Sequence, residues 1–215
     1  MIRLHHLNQS RSLRILWLLE ELGVPYEIIS HQRDAKTFKA PASLKQIHPL
    51  GKSPVIEIEG QIIAESGAIV ELLIERFAPD RLRPNVDSKD YDKYLQWIHF
   101  AESSFMVPIL LEVLTKDAIR SDDKYLQPYI DSEKHNLLSY LNSVVENKFY
   151  IVANKLSGAD FMLAFDLILM AQSKFLEDYP HVKQYALQLA SLDSYQRAMR
   201  LEDNYDESVR PNIIK

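Results

Sequence analysis

The sequence predicts two parts of different class: an α/β unit over residues 1–80 and an all-helical region from residue 88 onward. Three observations carry this reading. Short strand-like runs alternate with helix-period segments as far as Phe77. Composition then shifts at Ala78-Pro79-Asp80-Arg81-Leu82-Arg83-Pro84-Asn85-Val86-Asp87, where two prolines and four charges mark a linker, placed at 81–87. Beyond it no convincing strand appears, and apolar residues recur at helical spacing.

Taken in order, Ile2-Arg3-Leu4-His5 is a short strand. Arg11 to Leu22 is a helix with Ile15, Leu18, Leu19 and Leu22 on its apolar side, and Gly23 supplies the left-handed residue that ends it. Tyr26-Glu27-Ile28-Ile29 is a second strand, and Pro41 to Ile47 a short helix. Val55–Glu59 and Gln61–Ala64 alternate around Gly60 as a hairpin. Ser66 to Phe77 is a helix burying Ile69, Leu72, Leu73 and Phe77. The resulting order, β-α-β-α-β-β-α, is the thioredoxin-like order: a βαβ unit, then a ββα unit, with helices covering a small mixed sheet.

In the second part, Ser88 to Lys116 reads as one long helix, kinked at Pro108. Asp122 to Asn147 is a second. Phe161 to Phe175 is so apolar that it is expected at the centre of the helical domain. Shorter helices cover Val182 to Leu192 and Ser194 to Met199, and the polar tail from Glu202 is expected to be poorly ordered. Ser157-Gly158-Ala159-Asp160 precedes the Phe161 run as a capping box with Asp in the acidic role, a folding signal worth about 1 kcal/mol.

Composition excludes several function classes. A net charge of −5, mixed along 215 residues, gives no concentrated basic face for a nucleic-acid backbone. With no cysteine, disulfides, thiolate metal sites and cysteine nucleophiles are out. No signal peptide is recognisable after Met1, and the apolar stretch Phe161–Ala171 is too short for a bilayer, so a soluble, cytoplasmic protein without membrane partners is expected.

The chemistry concentrates between His48 and Ser66. Glu65-Ser66 opens a helix whose free N–H groups and dipole attract a carboxylate, while Glu65 suits an ammonium; together they fit an α-amino acid head group. Lys52 suits a second carboxylate. Pro54 enters a strand. About 5–6% of X-Pro bonds are cis, so spacing alone favours trans. A cis bond would instead turn the Ser53 main chain outward to pair with an extended peptide. Asn8-Gln9-Ser10-Arg11-Ser12 joins the first strand to the first helix, where a thiolate is stabilised by the dipole and by hydroxyls. Ser10 is the preferred hydroxyl, Ser12 and Asn8 are its rivals, and Arg11 adds positive potential.

Together these segments resemble the cytosolic glutathione transferase family across nearly the whole chain. The nearest branch, fungal and bacterial, carries S-R-x-x-R-x-L-W-L-L-x-x-L, which is Ser10 to Leu22 here; R-D-A is Arg33-Asp34-Ala35. The branch pattern A-P-x-x-L-K-x-I-H-P-L-G-x-S-P is matched by Ala40 to Pro54, and A-E-S-G by Ala64 to Gly67. The Ser157–Asp160 box matches as well.

The resemblance implies a cis Pro54, Ser53 main-chain atoms against the cysteine of glutathione, Glu65 and Ser66 on its γ-glutamyl head, and Lys52 near its glycyl carboxylate. It implies a helical-domain pocket for an apolar electrophile, with Phe105 and Met106 as wall candidates, and a homodimer. Glutathione is then the co-substrate and no metal is required. The bound thiolate attacks the electrophile, with peroxidase action on organic hydroperoxides as a second activity. His5 stands near the position of the tyrosine used by other classes, and the cysteine of the thiol-transferring classes is missing, so Ser10 is expected to activate the thiol. The alternative is a binding or regulatory protein that keeps the glutathione site without fast chemistry, as in a yeast nitrogen regulator of similar fold.

Overall fold

The computed structural model describes residues 1–115, 123–172 and 174–205. The described chain forms two compact units, residues 1–79 with 190–215, and residues 80–189. This differs from a helical domain running from 88 to the end: the last helix belongs to the first unit.

In the first unit, strands β1 (Ile2–Leu7), β2 (Tyr26–His31), β3 (Val55–Ile58) and β4 (Gln61–Ala64) form one sheet in the order β2-β1-β3-β4. β1 runs parallel to β2, through the crossover helix α1 (Ser12–Leu22), and antiparallel to β3. The β3–β4 turn has positive φ at both Glu59 (52°) and Gly60 (78°), the backbone that matches the twist of a two-residue hairpin. Gly23 ends α1 in the left-handed region at φ 67°, its N–H donating to the Leu19 carbonyl. After the short helix α2 (Ser43–Ile47), α3 (Ser66–Phe77) returns across the sheet.

Helix α1 is buried from Ser12 through Leu19, not along one stripe. The reason lies at the far end of the chain. The last described helix, Asp193–Tyr205, packs along α1, so α1 is covered by the sheet, by α3 and by this helix. Trp17 donates to the Ser194 hydroxyl (3.0 Å) and meets the Tyr195 ring edge-on. The helix continues well past Met199, and Glu202, expected in a loose tail, is buried. Leu22, at the open end of α1, is half-buried, and Phe77 on α3 is exposed, whereas Val70 and Ile74 are buried beside Ile69 and Leu73.

The second unit is helical throughout its described residues: α4 (Lys89–Glu102), α5 (Met106–Thr115), α6 (Leu126–Val144), α7 (Gly158–Ala171) and α8 (Pro180–Ala190), which ends at the border; the Asp193–Tyr205 helix of the first unit is α9. The long helix from Ser88 is broken at 103–105 and has no kink at Pro108. Pro108 instead sits in the first turn of α5, where its missing N–H has no intrahelical partner to lose. Taken together, Lys89–Thr115 is long and apolar enough to cross a membrane by length and composition alone, but the break at 103–105 leaves two pieces each shorter than the ~20 residues a span needs. Lys116 and Asp122, the expected helix ends, lie outside the described residues. α7 is buried on nearly every side and packs on α4.

Candidate functional site

Strand register determines which loops meet. His5 pairs with Val55, and Val55 with Ala64. The residues just after β1, just before β3 and just after β4 therefore share one end of the sheet. Those residues are the Ser10 loop, Ser53-Pro54 and Glu65-Ser66. Three stretches far apart in sequence are gathered by a ladder of main-chain hydrogen bonds. The parallel strand β2 ends there too.

The Ser53–Pro54 bond is cis, and the Ser53 hydroxyl donates to the His5 carbonyl (2.9 Å), tying this turn to β1. Glu65 has φ 72° and ψ 113°, a conformation that costs a non-glycine residue of order 1–3 kcal/mol and is found mostly where a function demands it. It is exposed at the head of α3. Ser66 is buried beside it, and its hydroxyl accepts from the Arg14 guanidinium (3.2 Å), which leaves the hydroxyl hydrogen for another partner. Arg14 is 1% exposed, so its charge acts from beneath the α3 terminus. Lys52 is exposed beside Ser53, and Arg11 is half-buried at the N-cap position of α1.

Two residues hold the Ser10 loop. Gln9 takes positive φ (50°), and Arg33, beyond β2, donates to the Asn8 and Gln9 carbonyls (3.1 and 3.2 Å) while its own N–H goes to Asn8 Oδ1 (2.9 Å). Of the three rival side chains, Asn8 and Ser12 are fully buried, whereas Ser10 is 7% exposed. Ser10 Oγ donates to the Leu7 carbonyl (2.8 Å) and lies 2.9 Å from Ser12 Oγ.

Behind the serines lies a network that sequence reasoning missed. Alternation along β1 sends His5 and His6 to opposite faces. His5 joins a chain toward the surface: Nε2 to Glu57 (2.9 Å), Nδ1 to His31 (3.1 Å), and His31 on to Ser43 (2.9 Å). Burial first, then the charges of His5 and His6, draw the His31 pKa down. The partnership with His5 above all, then with Arg3, holds Glu57 below the usual carboxylate range. His6 points inward. Its Nδ1 is 2.9 Å from Ser12 Oγ, and its Nε2 is 2.6 Å from Glu202 Oε2 on α9. The other Glu202 oxygen accepts the Gln9 N–H (2.8 Å). The only available signal was the polar pair His5-His6 at a strand end; nothing in sequence linked it to Glu202.

Phe105 is buried in the second unit and stacks on Phe100 (5.9 Å), within a cluster that includes Trp97 and Tyr140. Met106, opening α5, is half-buried. Among the described residues no group of three or more His, Asp or Glu is arranged to hold a metal.

A four-stranded mixed sheet flanked by helices, with a cis-proline turn facing a helix start, defines a thioredoxin-like unit. Family models confirm and extend this. The glutathione S-transferase N-terminal domain matches residues 1–75 and the C-terminal domain residues 102–193. Glutathione S-transferase 1 of Saccharomyces cerevisiae is 33% identical over 95% of this chain and 98% of its own. Glutathione S-transferase 3 of Schizosaccharomyces pombe is 32% identical over 84% and 78%. The crystal structure of an Actinobacillus pleuropneumoniae glutathione S-transferase superposes with a TM-score of 0.85 at 35% identity, covering 94% of this chain and 93% of that one. The chain belongs to the glutathione S-transferase family.

Proposed function

We propose that this protein is a glutathione transferase that uses a serine hydroxyl to stabilise the glutathione thiolate. The observation that carries the reading is the convergence of Ser10, Ser53 and the Glu65-Ser66 helix start at one end of the sheet. The α3 terminus, with the Ser66 hydroxyl and the Arg14 charge behind it, takes the γ-glutamyl carboxylate. Glu65 takes the ammonium, Ser53 pairs with the cysteinyl main chain, and Lys52 meets the glycyl carboxylate. Ser10, the least buried of the three rivals Asn8, Ser10 and Ser12, donates to the sulfur, with the α1 terminus and Arg11 adding positive potential. The thiolate then attacks an apolar electrophile, and the same thiolate serves organic hydroperoxides.

On the helical unit, Met106 is the accessible wall candidate and Phe105 backs that region from the core. A homodimer accords with the exposed Leu50, Ile62 and Phe77 of the first unit, and sedimentation of the purified chain tests it. Steady-state assays with glutathione plus 1-chloro-2,4-dinitrobenzene, and with cumene hydroperoxide, on wild type and Ser10→Ala test the function. Turnover that depends on Ser10 is expected. Tight glutathione binding with no turnover of either substrate would make the protein a binding module instead.

A further inference from the structure

Ser10 is one end of a continuous buried chain of polar contacts: Ser10 Oγ to Ser12 Oγ (2.9 Å), Ser12 Oγ to His6 Nδ1 (2.9 Å), and His6 Nε2 to Glu202 Oε2 (2.6 Å). All four groups are buried: Ser10, in the loop at the end of the sheet, at 7% exposure, Ser12 and His6 at 0%, and Glu202 at 6%. Burying an imidazole against a carboxylate costs desolvation on both sides, and apolar packing fills a core as well or better. The arrangement is also directional. The hydroxyl side is hydrogen-bonded, Ser12 Oγ to His6 Nδ1, while the Glu202 carboxylate lies against Nε2 at 2.6 Å out of line for a hydrogen bond, so that its influence on the ring is one of charge.

We propose that His6 is the proton acceptor for the glutathione thiol, reached through the hydroxyls of Ser12 and Ser10, with the negative charge of Glu202 beside its ring favouring the imidazolium. This rests on the transferase reading above and deepens it. For transfer the two hydroxyls turn from the Leu7 carbonyl, so that Ser12 donates to His6 Nδ1 and Ser10 donates to Ser12, with the Glu202 carboxylate beside Nε2. As the S–H bond breaks, its proton passes to Ser10 Oγ, the Ser10 proton to Ser12 Oγ, and the Ser12 proton to Nδ1. No electrons leave or enter. The end state is a thiolate facing the new Ser10 O–H, with an imidazolium held between Ser12 and the Glu202 carboxylate. When the thiolate has been consumed, the proton returns outward through the same hydroxyls to the leaving group or to water. The Leu7 carbonyl, within reach of both hydroxyls (2.8 and 3.0 Å), holds their hydrogens at rest.

Glu202 also fixes the loop itself, since its second oxygen accepts the Gln9 N–H. His6, Ser12 and Glu202 are thus positioning residues that act through Ser10. Other titratable groups that face the pair are His31 on β2 and Arg33 beyond it, and Tyr195 on α9, whose pKa is pushed up to about 12 by burial first and then by Glu202.

The test begins with the unaltered chain near neutral pH. Thiolate formation on glutathione binding is followed by ultraviolet absorbance, and net proton release by calorimetry in buffers of different ionisation enthalpy. Thiolate formation with far less than one proton released, together with conversion of the His6 ring to imidazolium by NMR, is expected. One proton released per thiolate, with His6 unchanged, overturns the relay and leaves the transferase reading standing. No glutathione binding at all overturns both. Glu202→Gln and His6→Gln should raise the bound-thiol pKa by about one unit and lower kcat at neutral pH about tenfold, with glutathione KM held within about twofold. Glu202→Asp should recover part of the loss. An unchanged bound-thiol pKa in folded variants also overturns the relay, and if the variants do not fold, the wild-type proton count decides.

Discussion

Two buried carboxylates, one in each unit, show how differently the same chemical group is used. Asp160, at the third position of α7, accepts from the Ser157 N–H (2.8 Å), the Ser157 hydroxyl (3.0 Å), the Ile151 N–H (3.0 Å) and the Tyr185 hydroxyl (2.6 Å). Its main-chain and serine donors lie within nine positions, and the fourth donor, Tyr185, comes from α8 in the same unit. Burial pushes its pKa up to about 6, against the pull of Tyr185 first and then the main-chain donors. Glu202, on α9, reaches the Gln9 N–H across 193 positions and an imidazole that itself faces a hydroxyl. Asp160 closes a helix start and ends there. Glu202 leads, through titratable and rotatable groups, to Ser10, the residue proposed to touch the glutathione sulfur. A carboxylate surrounded by fixed donors stabilises a fold; one adjoining a histidine–hydroxyl chain can move a proton.

The contrast can be broken at several strengths. The largest effect is expected from Asp160→Ala, which strands several buried donors at about 1–3 kcal/mol each. Urea unfolding should show a loss of at least about 3 kcal/mol, and enough stability lost to lower the yield of folded protein. The same carboxyl gives a pH signature. Because its folded pKa is raised, its contribution to stability is complete below about 3.9 and is lost as pH rises through about 6. Asp160→Asn should remove that slope from urea midpoints measured across the window.

Next comes Ser10→Ala, expected to lower kcat/KM for conjugation about ten- to a hundredfold, at 1.4 kcal/mol per decade, with little change in unfolding free energy. An equal loss of stability would erase the distinction between the two regions. Glu65→Gln should weaken glutathione binding about tenfold, through loss of one charge-assisted contact, as read by calorimetry. The smallest effect is expected from Lys52→Ala: an exposed lysine gives up less than about 1 kcal/mol of affinity, and the loss should shrink further with added salt.

Legibility in the sequence followed the range of the interaction. The Ser157–Asp160 box was readable because its donor and acceptor lie three residues apart, and the structure forms it. The Gly23 cap and the Glu59-Gly60 turn were readable for the same reason. Pro108 misled because a proline that kinks a helix interior is harmless in a first turn, and the break at 103–105 carries no proline or glycine to announce it. Phe77 misled because periodicity reports a face and cannot say how far along the helix that face remains covered. Spacing alone would have left Pro54 trans. The family resemblance reversed that reading, and the bond is cis.

By itself, the sequence determined the order of strands and helices through Phe77, the turns at Gly23 and Gly60, the capped start of α7 and, through its motifs, the family. All of these are settled within a few residues or by a pattern along the chain. Only the tertiary structure decided that α9 joins the first unit and covers α1, and that Glu202 stands against His6 behind the Ser10 loop. The physical reason is burial. A glutamate near the C-terminus and a histidine on the first strand carry no mark of each other until packing removes both from water and leaves each as the other's partner.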